Sequence, residues 1–341
     1  MDSLNNDWES FLDDDNIDIN IINDRTQNID TDCSYNIPKS TPLYISTKTK
    51  ISYLNVDNID LYNTFWKIPV MSYHEMKTGV VKKQMKFNLT SEEELNDINE
   101  KLKNIEYYKT DIIHSNKYNH GKKQIFKDVR KINIGLSKRD ITSYRSKQKS
   151  AFYNCFVVIL RIRDNNIFKE IHVKIFNTGK LEIPGIQDDN LYNKILEEIV
   201  YILKINTQND NITIPAHSDT VLINSNFRCG YYIDRDKMYN ILKYKYNINA
   251  TYDACSYPGI QCKYQVSDSS AISFMIFRTG SVLIVGKCEM DTLNEVYEFL
   301  VKMLHDEYSN VQICNNTEST NTNTKNVKIR KKNIFVNSIH C

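Results

Sequence analysis

The sequence lacks the features that mark membrane proteins, zinc proteins and the common enzyme classes. Its 341 residues contain no run of 18 apolar residues, so no membrane-spanning helix is predicted. The eight cysteines include no Cys-x-x-Cys pair, which argues against a zinc site and favours a reducing compartment. No glycine-rich phosphate loop, His-Glu-x-x-His or Gly-x-Ser-x-Gly motif is present. We therefore predict no enzymatic activity, no cofactor and no metal site.

Charge is distributed unevenly along the chain. Residues 1–32 carry a net charge of −9 in a protein of net charge +2, so the remainder carries +11. Residues 1–40 are interpreted as an acidic disordered tail, and an acidic start of this kind is not typical of a secretory signal. A basic body indicates a polyanionic partner, with which the tail would compete. The alternative is a tail that only improves solubility.

One block of sequence occurs twice. FNTGKLEIPG at residues 176–185 and FRTGSVLIVG at residues 277–286 agree at five of ten positions, with an offset of 101 residues. A helix is predicted after each block, near Asp188 and near Asp291, because a carboxylate at a helix start caps free N–H groups and suits the helix dipole. The chain is therefore predicted to contain an internal repeat.

The segment before each block is predicted to be an antiparallel strand with one apolar core face. In YPGIQCKY of the second repeat, Tyr257 and Lys263 share the face opposite Ile260. The first repeat has a core face of Phe156, Val158, Leu160 and Ile162, and an opposite face of Tyr153, Cys155, Val157, Ile159, Arg161 and Arg163.

Each repeat thus reads as strand, helix, several antiparallel strands and a long helix. Asp60 and Asp234 open the two short helices 174 residues apart, so the first repeat carries about 70 more residues than the second. Two such units can share one sheet with all helices on one face. The other face stays open and carries four aromatic residues: Tyr153, Phe176, Tyr257 and Phe277.

The two blocks, YPGIQCKY and the following helices resemble the TATA-binding protein (TBP) family, most of all the divergent TBP-like proteins of large DNA viruses. The resemblance covers roughly residues 45–70 and 130–305. It implies an α+β fold in which two direct repeats form one curved antiparallel sheet, a saddle, with helices on the convex face. The predicted divisions are the tail at 1–40, repeat 1 at 41–207 with an inserted segment at about 75–130, repeat 2 at 215–310, and a polar, basic tail at 311–341.

The resemblance implies a DNA-binding role for the four aromatic residues. In the family, one aromatic pair per repeat wedges between base steps and kinks the duplex. The matching pairs are Tyr153 with Phe176 and Tyr257 with Phe277, and Phe152 is an alternative to Tyr153.

The resemblance also implies polar contacts in the minor groove and to phosphates. The family's groove asparagine matches Asn224 or Asn226, with Asn226 preferred, because an amide can donate to adenine N3 and thymine O2. The first repeat has Thr47 or Thr49 at that place. The basic residues that match phosphate contacts are Lys180, Lys263 and either Arg161 or Arg163.

The inserted segment and the C-terminal tail lie outside the resemblance. SEEELNDINEKLKNI begins with a Ser-x-x-Glu capping box and predicts a helix, with Leu95, Ile98 and Leu102 on one face. Residues 71–150 carry a net charge of +8, which favours extra phosphate contact or, alternatively, a solvated face. KNVKIRKKNIF near the C terminus reads as a basic arm, a nuclear signal or a solvated tail.

The sequence therefore predicts a TBP-like initiation factor that bends A·T-rich promoter DNA and recruits a transcription factor IIB-like factor and RNA polymerase. The expected location is the nucleus or a cytoplasmic viral factory, with packaging in the virion as a further option. The alternative is an interaction scaffold that has lost DNA bending. It is favoured by Ser281 where the family has Lys, and by Pro184 and Val285 where it has Thr. An enzyme on this fold, like the DNA glycosylases with a similar sheet, is a third and weaker reading.

Overall fold

The computed structural model describes residues 37–120, 123–142, 153–214, 217–267, 270–313 and 334. The chain divides into two compact units, one of residues 51–219 with 326–341 and the other of residues 1–50 with 220–325. We call them the first-repeat unit and the second-repeat unit. The predicted acidic tail up to residue 36, and nearly all of the C-terminal tail beyond residue 313, lie outside the described residues.

The first-repeat unit is an antiparallel sheet with helices. Its strands are hydrogen-bonded in the order β3-β4-β2-β5-β6-β7-β1, where β1 (Tyr44–Tyr53) has residues in both units. The remaining elements are α1 (Leu61–Lys67), β2 (Gly79–Leu89), α2 (Glu92–Lys103), β3 (Tyr108–His120), β4 (Lys123–Gly135), α3 (Lys138–Thr142), β5 (Cys155–Asp164), β6 (Ile167–Phe176), β7 (Lys180–Ile186) and α4 (Asp189–Thr207).

The second-repeat unit repeats this plan without the inserted elements. Its strands follow the order β1-β8-β12-β11-β10-β9. The elements are β8 (Ser218–Arg228), α5 (Arg235–Asn240) continuing into a π-helical turn (Ile241–Lys245), β9 (Asn249–Thr251), β10 (Gly259–Ser267), β11 (Ser270–Phe277), β12 (Ser281–Gly286), α6 (Met290–Asp306) and α7 (Tyr308–Val311).

Acidic side chains cap three of the predicted helices, whereas Glu289, the N-cap of the helix predicted near Asp291 (α6), makes no side-chain cap hydrogen bond. Asp60, Asp188 and Asp234 are the N-caps of α1, α4 and α5, and each side chain accepts hydrogen bonds from the first turn. Ser91 caps α2 and accepts from the Glu94 N–H, while the Glu94 carboxylate accepts from the N–H of Thr90, one residue before the N-cap, so the return bond is displaced by one residue from that of a capping box. The predicted helix in the inserted segment is confirmed.

One face of each sheet packs against helices. In the first-repeat unit, the predicted core residues Phe156, Val158, Leu160 and Ile162 are buried in one cluster with Leu191, Ile195 and Ile199 of α4. In the second-repeat unit, Ile260, Phe274 and Ile276 are buried with Leu293 and Leu300 of α6. The predicted α+β class, with an antiparallel sheet and helices on one of its faces, is confirmed. Within the described part of the chain, no helix is long and apolar enough to cross a membrane.

The inserted elements extend one side of the first-repeat sheet. Strand β2 pairs with β5 just as β9 pairs with β10, so β2 stands where the second repeat has its short β9. Helix α2, the β3–β4 hairpin and helix α3 have no counterpart among the elements of the second-repeat unit. The insertion bounds of about 75–130 stay a prediction.

Candidate functional site

The sheet face opposite the helices, which we call the open face, carries an apolar cluster in the second-repeat unit. Met275, Phe277 and Val285 are buried there, and three partly buried residues, Leu222, Tyr257 and Leu283, pack against them. All six come from strands β8, β11 and β12 or from the segment before β10, so this cluster is separate from the core under α6. Met275 and Phe277 of β11 belong to this cluster, and Phe274 and Ile276, which alternate with them, belong to the core under α6.

Tyr257 and Phe277 form one aromatic unit. Their ring centroids lie 6.1 Å apart at an interplanar angle of 58°. Gly259 lies beneath both rings, since a Cβ at this position would come within 3.0 Å of the Phe277 ring and 3.2 Å of the Tyr257 ring. Burial raises the pKa of Tyr257 to about 12, so the phenol is neutral at physiological pH.

The predicted groove asparagines lie on the same open face and are already hydrogen-bonded. The Asn226 amide nitrogen donates to the Ser46 hydroxyl at 2.8 Å, and that of Asn224 donates to the Thr47 hydroxyl at 3.0 Å. Asn224 is buried, whereas Asn226 is half-buried. A base edge would therefore displace the Ser46 hydroxyl from Asn226 more readily than the Thr47 hydroxyl from Asn224.

Strand register shows which residues of the two repeats are equivalent. Gly259 lies opposite Phe277, and Cys155 lies opposite Phe176 in the same antiparallel arrangement. Tyr257 precedes Gly259 by two residues, and Tyr153 precedes Cys155 by two. Tyr153 is thus the counterpart of Tyr257, while the alternative Phe152 lies outside the described residues.

The aromatic pair of the first-repeat unit is arranged differently. The Lys86 ammonium lies 3.8 Å from the centroid of the Tyr153 ring, and the Lys180 ammonium lies 4.9 Å from that of Phe176. Both rings are described, and no ring-to-ring contact joins them. Each ring is therefore paired with a cation, an arrangement that uses the negative face of the aromatic system.

The open face of the first-repeat unit also carries an ion pair in place of apolar residues. Lys174 lies opposite Glu182, and their charged groups are 2.6 Å apart. The same register in the second-repeat unit places Met275 opposite Leu283. A second cation, Lys180, lies 3.8 Å from the Glu182 carboxylate.

The two arginines predicted as alternatives for phosphate contact have different surroundings. The Arg161 side chain is buried, donates to the backbone carbonyls of Tyr73 and Glu75 at 2.8 and 2.9 Å, and pairs with Glu170 at 3.1 Å. Arg163 is exposed and donates to Asn166. Of the two, only Arg163 can meet a ligand without first breaking buried hydrogen bonds.

The structure therefore brings the second-repeat candidates together, whereas in the first repeat it joins Phe176 with Lys180 but not with Tyr153. Asn224, Asn226, Tyr257 and Phe277 share one apolar face, and Lys263 lies on the same side of β10, opposite Ser273. Alternation alone did not reveal Gly259 as the residue that lets the two rings meet. The Pro-Gly dipeptide that follows Tyr257 was the available signal, because glycine often marks a close approach of other groups.

Comparisons with known proteins agree with the sequence reading. No family model matches the chain. A protein described as "TATA-box-binding protein-like", from Acanthamoeba polyphaga mimivirus, is 26% identical over 208 residues, which cover 53% of this chain and 56% of that protein. The chain thus aligns with a little over half the length of that relative. The predicted resemblance to TBP-like proteins of large DNA viruses is confirmed.

A solved structure was also found to be similar. It is that of Methanococcus jannaschii TBP, with a TM-score of 0.41 and 12% sequence identity, and the match covers 78% of this chain and 99% of that one.

Proposed function

We propose that this protein is a TBP-like transcription initiation factor that binds and bends duplex DNA through the minor groove at promoters. The observation that carries the proposal is the apolar cluster on the open face of the second-repeat unit, with the Tyr257–Phe277 pair at its end. A minor groove presents sugar and base edges to a flat apolar surface, and an aromatic side chain inserted at a base step replaces lost stacking.

Bending has an energetic cost that this surface is suited to offset. Unstacking a base step costs a few kcal/mol, roughly, and the kink lets more of the protein contact the groove. Phe277 is 7% exposed and Tyr257 is partly buried, so the pair is already held in place before DNA arrives. A rigid wedge loses little side-chain entropy on binding.

Sequence preference would come from the polar residues of the same face. The A·T minor groove offers only acceptors, and the Asn226 amide can donate to them once it leaves Ser46. Lys263 would contact phosphate next to the wedge. This readout distinguishes A·T-rich from G·C-rich DNA and supports an A·T-rich promoter as the target.

The helical side of the protein would recruit the transcription machinery. Tyr201 and Ile205, one turn apart on α4, are 60% and 56% exposed and form an apolar pair suited to a protein partner. By analogy with the family, we propose a transcription factor IIB-like factor and RNA polymerase as partners. Such a factor would act where viral promoters are transcribed, in the nucleus or a cytoplasmic viral factory.

A second candidate function is a TBP-fold interaction scaffold that no longer bends DNA. It is favoured by the first-repeat open face, where Glu182 and Glu170 place carboxylates that a polyanion would meet. It is also favoured by the internal hydrogen bonds of Asn224 and Asn226.

The test is fluorescence energy transfer on an end-labelled A·T-rich duplex, combined with binding measured at several salt concentrations. We expect binding that weakens steeply with salt, since each phosphate contact contributes about −0.9 to the logarithmic slope, and a shortened end-to-end distance. Phe277→Ala should abolish the shortening. Tyr244→Ala, which removes an aromatic ring that is 75% exposed on the π-helical turn, is the matched control and should leave it unchanged.

The outcomes separate the two candidate functions. A duplex that stays straight in the bound complex would favour the scaffold, and so would absence of binding at moderate salt. Loss of bending in both variants would show that the Tyr257–Phe277 pair has no specific role.

A further inference from the structure

The two aromatic pairs differ in one structural respect that decides how a ring can enter DNA. In the second-repeat unit, Tyr257 and Phe277 meet above Gly259, which has no side chain to separate them. In the first-repeat unit, the residue at the equivalent register position is Cys155, opposite Phe176. A side chain therefore stands at the position where, in the second-repeat unit, a Cβ would come within 3.0 Å of the Phe277 ring and 3.2 Å of the Tyr257 ring.

Cys155 fills that place permanently. Its side chain is 4% exposed on the open face, where Lys174, Lys180 and Glu182 are its charged neighbours. Burial raises the pKa of the thiol to about 11, so it remains a neutral apolar group at physiological pH. Because the cysteine side chain is short and buried, it stays at this position.

The two rings of the first-repeat unit have other partners. Tyr153 lies under the Lys86 ammonium at 3.8 Å and lines an open pocket of about 760 Å³ together with Tyr62 and the carboxylates of Glu93 and Asp97. Phe176 lies under the Lys180 ammonium at 4.9 Å. A ring that intercalates needs its faces against bases, and here a cation covers one face of each ring.

We propose that only the Tyr257–Phe277 pair acts as a wedge, so that this protein kinks DNA at a single base step. The inference rests on the proposed function, that is, on DNA binding through the open face. Tyr153 and Phe176 then contact the duplex from outside the base stack, and their lysines face the sugar–phosphate backbone.

The proposal departs from a symmetric scheme in a measurable way. Two wedges would unstack two base steps, whereas one wedge unstacks one. The fluorescence of 2-aminopurine rises when this adenine analogue loses stacking, so a set of A·T-rich duplexes carrying it at successive positions reports each unstacked step separately. The full chain is used throughout, and binding is measured on the same duplexes by anisotropy.

We expect one region of raised emission in the wild-type complex. Phe277→Ala should reduce that signal to the level of free DNA, and Phe176→Ala should leave it within twofold of wild type. Phe176 and Phe277 occupy equivalent positions in the two repeats, so these two alanine variants are a matched pair. Gly259→Ala places a Cβ 3.0 Å from the Phe277 ring and should lower the signal severalfold, while Cys155→Ala should not change it.

The outcomes distinguish failure of the inference from failure of the proposed function. Two separate regions of raised emission, one lost in Phe176→Ala and the other in Phe277→Ala, would overturn the single wedge while leaving DNA bending intact. Bound DNA without raised emission at any position would overturn the wedge itself. Absence of salt-dependent binding in the anisotropy measurement would instead overturn the proposed function.

Discussion

The open faces of the two repeats share one backbone register and differ in chemistry. Positions 174 and 182 hold a lysine and a glutamate 2.6 Å apart, and the equivalent positions 275 and 283 hold methionine and leucine. The buried side chains on the helix face and the turns between strands set the register, so it does not depend on which side chains project from the open face. The second-repeat face is apolar, as the proposed minor-groove binding requires, whereas the first-repeat face carries internal ion pairs.

The helix side of the two units shows a similar contrast. Lys83 of β2 lies opposite Val158, and the equivalent residue of β9 is Ala250, opposite Cys262. The Lys83 ammonium donates to the backbone carbonyl of Phe65 at 2.6 Å and to that of Ile68 at 2.6 Å, where α1 ends. In the second repeat, helix α5 continues into a π-helical turn. In the first repeat, Lys83 thus donates to the last carbonyl groups of α1, whereas in the second repeat the helix continues for a further turn.

The largest effect should follow from giving the second-repeat face the charge of the first. Leu283→Glu places at this position the carboxylate that Glu182 provides in the first repeat, but without the lysine partner. We expect DNA affinity to fall at least 100-fold, about 2.7 kcal/mol, because an unpaired carboxylate would be buried against the groove. Anisotropy measures the affinity, and circular dichroism monitors the fold. Leu283→Gln is the control, and an equal loss there would show that charge is not the cause.

Exchanging Lys83 for its counterpart should destabilise the first-repeat unit without touching its open face. Lys83→Ala leaves the carbonyls at the end of α1 without their buried donor and opens a cavity, which together cost about 2 kcal/mol of unfolding free energy. Urea denaturation measures this value. An unchanged midpoint would mean that water satisfies the carbonyls equally well.

The same lysine predicts a dependence of stability on pH. Burial lowers the pKa of Lys83 from 10.5 to about 8, so between these values the unfolded chain binds more protons than the folded one. The contribution of Lys83 to stability therefore rises as the pH increases from 8 to 10.5. Urea denaturation across this range should show the gap between wild type and Lys83→Ala widening, and a constant gap would argue against a desolvated amine.

A smaller effect should follow from making the first-repeat face less acidic. Glu182→Gln releases Lys174 and Lys180 from their carboxylate, so we expect DNA affinity to rise about fivefold and the salt slope to steepen by roughly 1 to 2. Glu295→Gln, on the exposed side of α6, makes the same chemical change away from the sheet and controls for net charge. Equal gains in both variants would attribute the effect to overall charge rather than to the open face.

The smallest effect is expected at the groove asparagine. Ser46→Ala removes the internal acceptor of the Asn226 amide, which lies 2.8 Å away. Preference for A·T over G·C duplexes should rise less than threefold, about 0.6 kcal/mol, since only one exchangeable hydrogen bond is altered. Competition binding measures it. Adding Asn226→Ala should cancel the gain, and a gain that persists would assign the preference to another residue.

Much of the repeat architecture could be predicted, because the repeated sequence block and the alternation of apolar residues in the strands both indicate it directly. The 101-residue offset between the two blocks paired Phe176 with Phe277, and alternation assigned Phe156 and Ile260 to the core face, where the structure places them. Asp60 was identified as a helix start because N-caps are determined by local chemistry.

The surroundings of the candidate site could not be predicted in the same way. Alternation puts Arg161 on the open face, but does not reveal that the loop with Tyr73 and Glu75 supplies carbonyls that bury its guanidinium. Likewise, spacing aligned Tyr153 only to within two residues, and the strand register was needed to identify Cys155 as the counterpart of Gly259. Contacts between distant segments depend on tertiary packing, which a single sequence records only indirectly.

The absence of a side chain at Gly259 makes the two repeats unequal, and this inequality bears on the orientation in which the protein would bind a duplex. The minor groove of an A·T pair presents the same acceptors from either strand, so a protein with two equal halves could settle on a promoter facing either way. Transcription, however, proceeds one way from its start. If the protein binds DNA as proposed, its unequal halves, one with Gly259 and the other with Cys155, would favour one orientation along the duplex, with the kink at the end contacted by the second-repeat unit.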